Sequence, residues 1–210
     1  MIADMLFASF AAGMLYVLVP GPATLAALSL SASDGRLACL RFLSGHMFGD
    51  LFWSIIAVLA IIGVSQLGPT IFHALGIVCG LYLILLGFRA LLQKQHVAIR
   101  VVTSPWRTGI VFGFINPKAY PFALALFTSV LSRFGSELSL ASLLPIALAA
   151  FLGFVVATGC VVFWTGLRVV RRTYAKNSWW LVKATGLVFI ALGAKSFVDA
   201  VQSLRVRAEI

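Results

Sequence analysis

The sequence predicts an all-α, polytopic membrane protein with six transmembrane helices. They form two inverted three-helix repeats, with the first and fourth helices broken. Three observations lead there. Of the 210 residues, 61% are hydrophobic and 10% are charged, with a mean hydropathy of +1.06. A soluble domain is about 45–50% apolar and about 25% charged. The apolar residues fall in long windows, and each bilayer crossing takes roughly 20 of them. Prolines interrupt two of these windows at Pro20-Gly21-Pro22 and Asn116-Pro117. Soluble enzymes, disordered chains and secreted disulfide scaffolds are excluded on composition. Six crossings leave short loops and no room for a soluble domain, so residues 1–210 form one unit. Repeat one covers about 1–92, a cytoplasmic linker about 93–107 and repeat two about 108–203.

Taken in order, the first helix covers about 4–32 and breaks at Pro20-Gly21-Pro22. The opening residues Met1-Ile2-Ala3-Asp4 lack the positive stretch of a signal peptide, so this run is expected to remain in the protein. The second helix covers about 42–62 and the third about 71–92. The fourth covers about 108–131, broken at Asn116-Pro117. The fifth, about 138–167, is long enough to tilt. The sixth covers about 179–201. A basic loop is expected between the last two.

The formal net charge is +10. No basic, aromatic-interleaved module suited to nucleic acid is present, and the charge reads instead as topology and lipid contact. The odd loops hold eleven Lys and Arg residues, from Arg36 and Arg41 through Arg89, Lys94, Arg100 and Arg107 to Arg168–Lys183. The even loops and the tails hold three, Arg133, Arg205 and Arg207. Positive-inside bias puts the odd loops in the cytoplasm and both termini outside. The cysteines Cys39, Cys79 and Cys160 are scattered, with no C-x-x-C. They read as small apolar fillers, and a thiol–disulfide carrier is disfavoured.

Two segments resemble each other. Gly80-Leu81-Tyr82-Leu83-Ile84-Leu85-Leu86-Gly87-Phe88-Arg89 and Gly186-Leu187-Val188-Phe189-Ile190-Ala191-Leu192-Gly193-Ala194-Lys195 both read G-L-x-x-I-x-L-G-x-basic. The breaks at Pro22 and Pro117 match in the same sense. Units of three spans are odd in number, so the halves lie inverted, as in many secondary transporters.

The breaks and the charges beside them carry the candidate chemistry. Pro20 and Pro22 remove two backbone donors, and Gly21 adds freedom. Such a break survives in hydrocarbon only beside protein or a wet cavity. Freed N–H and C=O groups can then hold a carboxylate or an ammonium. Lys118, after Asn116-Pro117, is placed near the centre of the fourth span, where a lysine costs roughly 2.5–3.5 kcal/mol. His46 and Asp50 lie four apart and share one face of the second helix. Asp50 is placed about 12 Å deep. Desolvation favours the neutral carboxyl unless a cation is near, so Asp50 is a candidate proton carrier. His46, one turn shallower, belongs either to the pathway or to the interface. Gly45 with Gly49 and Gly109 with Gly113 are small-residue packing positions. Such a face can pack within the chain or against a second copy. Lys195, Asp199 and Arg89 read as interfacial anchors. No Walker A, G-x-S-x-G or H-E-x-x-H motif occurs, so neither an enzyme nor a cofactor is expected.

Pro20-Gly21-Pro22, Gly45-x-x-x-Gly49-Asp50, Gly87-x-Arg89 and Gly109 with Asn116-Pro117-Lys118-Ala119 together resemble the bacterial lysine-exporter and homoserine/threonine-resistance family. The similarity spans about residues 1–200. It implies an inner-membrane exporter of amino acids or related metabolites driven by an ion gradient, with Pro20, Gly21, Pro22, Asp50, Asn116, Pro117 and Lys118 in the pathway. The sequence departs from the family at Ala23, where many members carry a polar residue, and at Cys39 and Cys79, often glycine.

The resulting expectation is a proton-coupled amino-acid antiporter in the lipid bilayer, with its site between the two broken helices and the Asp50 face. The alternatives are a divalent-metal exporter of the same broad group and a non-transporting membrane subunit. The metal reading suffers from having one midplane acid and one histidine where several ligands are needed.

Overall fold

The computed structural model describes residues 2–67, 69–92, 104–116 and 119–208. Within them, the side chains of 64–67, 69–76, 79, 136, 171–178, 181, 185, 199 and 203–208 are outside the description. The described residues are helical, with no strand. In order they form α1 (Ile2–Leu18), α2 (Pro22–Ser33), α3 (Arg36–Leu67), α4 (Pro69–Leu92), α5 (Pro105–Ile115), α6 (Ala119–Leu131), a 3-10 turn (Ser132–Glu137), α7 (Leu140–Thr165) and α8 (Arg168–Ala208). Three helices are long and apolar enough to cross a membrane, and five spans result when each bent pair counts as one.

Both breaks fall where proline chemistry puts them. The last α1 hydrogen bond runs from Val19 N–H to the Leu15 carbonyl at 2.9 Å. Gly21 is then fully extended, and Pro22 opens α2 as its first residue, where a missing N–H would have no helical partner anyway. The Gly21 N–H donates to Thr24 Oγ1 at 3.3 Å. The chain turns by 59° between α1 and α2. At the second break Asn116 is extended, as the residue before a proline prefers, and the bend is 67°. The Ala119 N–H donates across it to the Asn116 carbonyl at 3.0 Å. Pro117 and Lys118 lie outside the described residues.

α2 stops at Asp34, whose N–H donates to the Leu30 carbonyl at 2.8 Å. Gly35 follows with φ +85, the one described residue in the left-handed region. It reverses the chain into α3 as a glycine just past a helix end commonly does. At the other end of the molecule, Gly166 and Leu167 alone separate α7 from α8. The expected basic loop is therefore absent. Helix α8 starts at Arg168 and runs 41 residues, about 60 Å at 1.5 Å per residue. Lysine and arginine are good helix formers, and no glycine or proline interrupts residues 168–185. Polarity there does not interrupt the helix.

The tightest helix pairs are built on glycine. α3 and α5 pack where Gly45 faces the Trp106 carbonyl, Gly49 faces Gly113 and Gly109 faces the Phe42 carbonyl. α1 and α7 pack where Gly13 faces the Ala150 carbonyl and Gly153 faces the Phe10 carbonyl. α4 and α8 meet antiparallel through the two similar segments. A Cβ on Gly80 would stand 2.7 Å from the Gly193 carbonyl oxygen, and one on Gly193 2.5 Å from that of Gly80. Gly87 and Gly186 repeat the arrangement at 2.5 and 2.7 Å. The main core gathers Tyr16, Phe122, Phe127, Ile146, Phe154 and Phe189. A smaller one around α2 holds Ala26, Leu30, Cys39, Phe42 and Val161. Outward, α7 exposes Leu144, Leu148, Leu152 and Val155 along one face. A soluble protein rarely leaves such a stripe in water. It faces lipid.

Candidate functional site

The break after α1 leaves a small cavity. It is lined by Tyr16 and Val17 from α1, Ala23 and Thr24 from α2, Leu43, His46, Met47 and Asp50 from α3, and Thr158 and Val161 from α7. Its volume is about 20 Å³. A water needs about 10–15 Å³ on that measure, so the space takes a water and excludes an amino acid. Entry of a larger molecule requires the helices to part.

Asp50 is 3% exposed and His46 4%. One helical turn apart, they are joined by a contact of 2.8 Å between Asp50 Oδ2 and His46 Nδ1. His46 is thus part of a buried pair. In the tautomer that donates from Nδ1, the other ring nitrogen is a bare acceptor. His46 Nε2 and Asp50 Oδ1 are both buried without a hydrogen-bond partner among the described residues, as is Ser54 Oγ one turn further along α3. The pocket is rich in acceptors. A molecule that brings donors, such as water or a primary ammonium, complements it.

α5 fixes the back of this stretch of α3. Gly113 abuts the His46 carbonyl and Gly49. Phe112 packs on the His46 ring at 5.9 Å and on Phe42 at 5.7 Å. At the end of α5, Trp53 Nε1–H donates to the Phe114 carbonyl at 3.1 Å. That carbonyl is one of the last four of α5, which have no partner within their own helix.

Of the sequence-predicted residues, His46 and Asp50 line the cavity. Pro20, Gly21 and Pro22 form the break beside it, with Val17, Ala23 and Thr24 turned to the space. Asn116 is buried at the end of α5. The described lining comes from the first broken helix, α3 and α7, while Pro117 and Lys118, expected to bring in the second broken helix, lie outside the described residues. The second broken helix is reached through Tyr16, whose hydroxyl donates to the Ala119 carbonyl at 3.3 Å. Tyr16, Thr24 and Thr158 were not singled out by sequence reasoning. Their common signal is a hydroxyl inside an apolar run, but only the fold shows that three of them converge.

The chain is 27% identical over 170 residues to an uncharacterized membrane protein of Pseudomonas aeruginosa, an alignment covering 73% of this chain and 79% of that protein. No solved structure matches it. Residues 14–199 match the family described as LysE type translocator. That match takes in both breaks, the His46–Asp50 pair and every helix-packing glycine except Gly13, and the chain belongs to the LysE type translocator family.

Proposed function

We propose that the protein is a secondary active exporter of amino acids or closely related metabolites, working by proton antiport across the bacterial inner membrane. The single observation that carries this is Asp50. A carboxylate 3% exposed, with one oxygen unpartnered, sits in an acceptor-rich cavity beside a broken helix. A buried charge without full compensation is expensive. Binding either a proton or a substrate ammonium relieves it. One site that takes the two in turn, and not together, is what antiport requires.

Alternating access then follows from an inverted repeat of six spans, α4 supplying the sixth. Several pairings support that reading. α4 and α8 exchange equivalent glycine contacts in opposite directions. Gly13 with Gly153 joins α1 to α7 as Gly109 with Gly45 joins α5 to α3. Tyr16 packs on Phe154 at 5.5 Å as Phe112 packs on His46 at 5.9 Å. In one half the pair is a phenol on a phenyl ring, and in the other a phenyl ring on an imidazole. The scaffold is thus shared while its polar groups are distributed unequally. Substrate and proton are the partners, the whole chain is one transport unit, and the basic loops face the cytoplasm with both termini periplasmic.

The test is export from proteoliposomes loaded with a labelled mixture of the proteinogenic amino acids, with and without an inward proton gradient. Wild-type protein should release at least one of them in a gradient-dependent way, and Asp50→Asn should reduce that release at least tenfold. Equal release by wild type and Asp50→Asn overturns the proposal.

A further inference from the structure

Three buried polar residues meet one or two helical turns beyond the cavity, on the faces that line it. Ser31 of α2, Cys39 of α3 and Thr165 of α7 are each 0% exposed. Ser31 Oγ donates to the Thr165 carbonyl at 3.0 Å, and Cys39 Sγ lies 3.6 Å from Thr165 Oγ1. Thr165 ends α7, so its carbonyl is one of the last four that a helix leaves without a partner of its own. Cys39 lies four residues before Leu43, Thr165 four after Val161 and Ser31 seven after Thr24, and Leu43, Val161 and Thr24 all line the cavity. Residues spaced by four or seven share a helix face. The contact therefore stands over one end of the cavity. Outside it, Arg36 lies against Gly166, with its guanidinium 6.0 Å from the Phe163 ring.

We propose that Ser31, Cys39 and Thr165 form the gate that closes the cavity toward the cytoplasm, and that α2 opens it by swinging on Gly21 and Gly35. α2 has 12 residues and follows the extended Gly21 at the break. Beyond its other end stands Gly35, whose φ of +85 turns the chain into α3. The first turn of α2 brings Ala23 and Thr24 to the cavity, and its last turn brings Ser31 to Thr165. One rigid segment thus forms both a wall of the cavity and its closure. The closure is polar at its centre, with Ala26, Ala27 and Leu30 packed beside it near Phe42 and Val161. Water replaces each hydrogen bond once the helices part, so such a contact opens toward water at less cost than an apolar seam of the same area. The α2–α3 turn with Arg36 and the α7–α8 junction with Arg168 lie at this end, the cytoplasmic one in the proposed orientation.

The gate takes its purpose from the exporter reading on which it rests, since a substrate leaving the cytoplasm has to pass it. Its opening is nevertheless readable without transport. Cys39 is the reporter: its thiol is shielded while the three residues touch and is bared to the cytoplasm when they part.

In a background with Cys79 and Cys160 replaced by alanine, a membrane-impermeant maleimide is applied to inside-out vesicles and to intact spheroplasts. Cys39 should label in the vesicles and be spared in the spheroplasts. Ser31→Ala removes the donor to Thr165 and should speed labelling in the vesicles about fivefold, the factor that one net hydrogen bond is worth in an equilibrium. Ser33→Ala is the control, because that hydroxyl bonds only Ser29 and Asp34 of its own segment, and it should leave the rate as it is. A thiol that never labels, one that labels in spheroplasts, or a rate that the two serine variants change equally overturns the proposal. Thr165→Cys in the same background sets a second thiol beside Cys39. Oxidation with copper phenanthroline should join the two, and the joined protein should release no amino acid from loaded proteoliposomes until a reductant is added. Thiols that fail to join contradict the contact and with it the gate, and export that the cross-link leaves untouched rejects the gate directly. Cys39 labelling as expected, in a protein that exports none of the proteinogenic amino acids when reduced, would reject the exporter reading and retain the gate.

Discussion

His46 Nδ1 and Asp50 Oδ2 approach to 2.8 Å on adjacent turns of α3, and each residue leaves its other polar atom unpartnered in the same buried region. The pair is half satisfied. Half-satisfied buried networks are poor for stability and are retained where a ligand completes them.

His46→Leu should destabilise the protein by about 2–3 kcal/mol, because the buried carboxylate then has no donor on its own helix. Adding Asp50→Leu should restore most of that loss, since two apolar groups of fitting shape replace a polar pair at little net cost. Reversible denaturant unfolding in detergent measures both. A single variant as stable as wild type would show that the imidazole does not support Asp50.

Glycines should divide sharply by what they face. Gly13, Gly49 and Gly153 abut backbone of the partner helix, whereas Gly63 and Gly159 have nothing within 4 Å of an added Cβ. Alanine at any of the first three forces the helices apart and should lower stability by about 1–3 kcal/mol, the usual range for overpacking. Alanine at Gly63 or Gly159 should be neutral or stabilising by about 0.5–1 kcal/mol through helix propensity. Tm values for the five variants decide it, and loss at Gly159 equal to that at Gly153 would contradict the packing.

Much of this arrangement was legible in the sequence, and the parts that were not share a cause. Pro20-Gly21-Pro22 announced its break because proline removes donors wherever it stands. Asp50 stood out because a carboxylate in an apolar run is costly in any fold. Both are local facts. Helix α8 starts earlier than the sequence predicts because charge alone does not end a helix, and Arg168–Lys183 contains nothing that stops one. Tyr16, Thr24 and Thr158 were missed for the opposite reason. A hydroxyl within a membrane helix has many innocent uses, and only tertiary packing brings α1, α2 and α7 around one point. The cavity's actual walls were likewise a property of the fold, since α7 offered no break and no charge to suggest it.

Trp53 makes a prediction specific to the second break. Its indole N–H satisfies the Phe114 carbonyl at 3.1 Å, while its ring packs on Phe52 at 5.1 Å and Tyr120 at 5.9 Å. Trp53→Phe keeps an aromatic ring and removes the donor. The carbonyl is then unsatisfied near lipid, at a cost of about 1–3 kcal/mol. Loosening should be local, so protease or hydrogen-exchange protection should fall at residues 111–116 and hold along α7. Uniform loss along the chain would mean that Trp53 supports the whole bundle.

Orientation can be decided with two exposed positions on opposite sides of the proposed bilayer. Asp34 is exposed at the turn between α2 and α3, next to Arg36. Gly135 is exposed in the turn between α6 and α7, with nothing near an added side chain. In a background with Cys39, Cys79 and Cys160 replaced, a membrane-impermeant thiol reagent applied to intact spheroplasts should label Gly135→Cys and spare Asp34→Cys. Inside-out vesicles should give the reverse. The physical ground is the excess of Lys and Arg around the α2–α3 turn and the α7–α8 junction, which insertion leaves on the cytoplasmic side. Labelling of Asp34→Cys in spheroplasts would invert the topology.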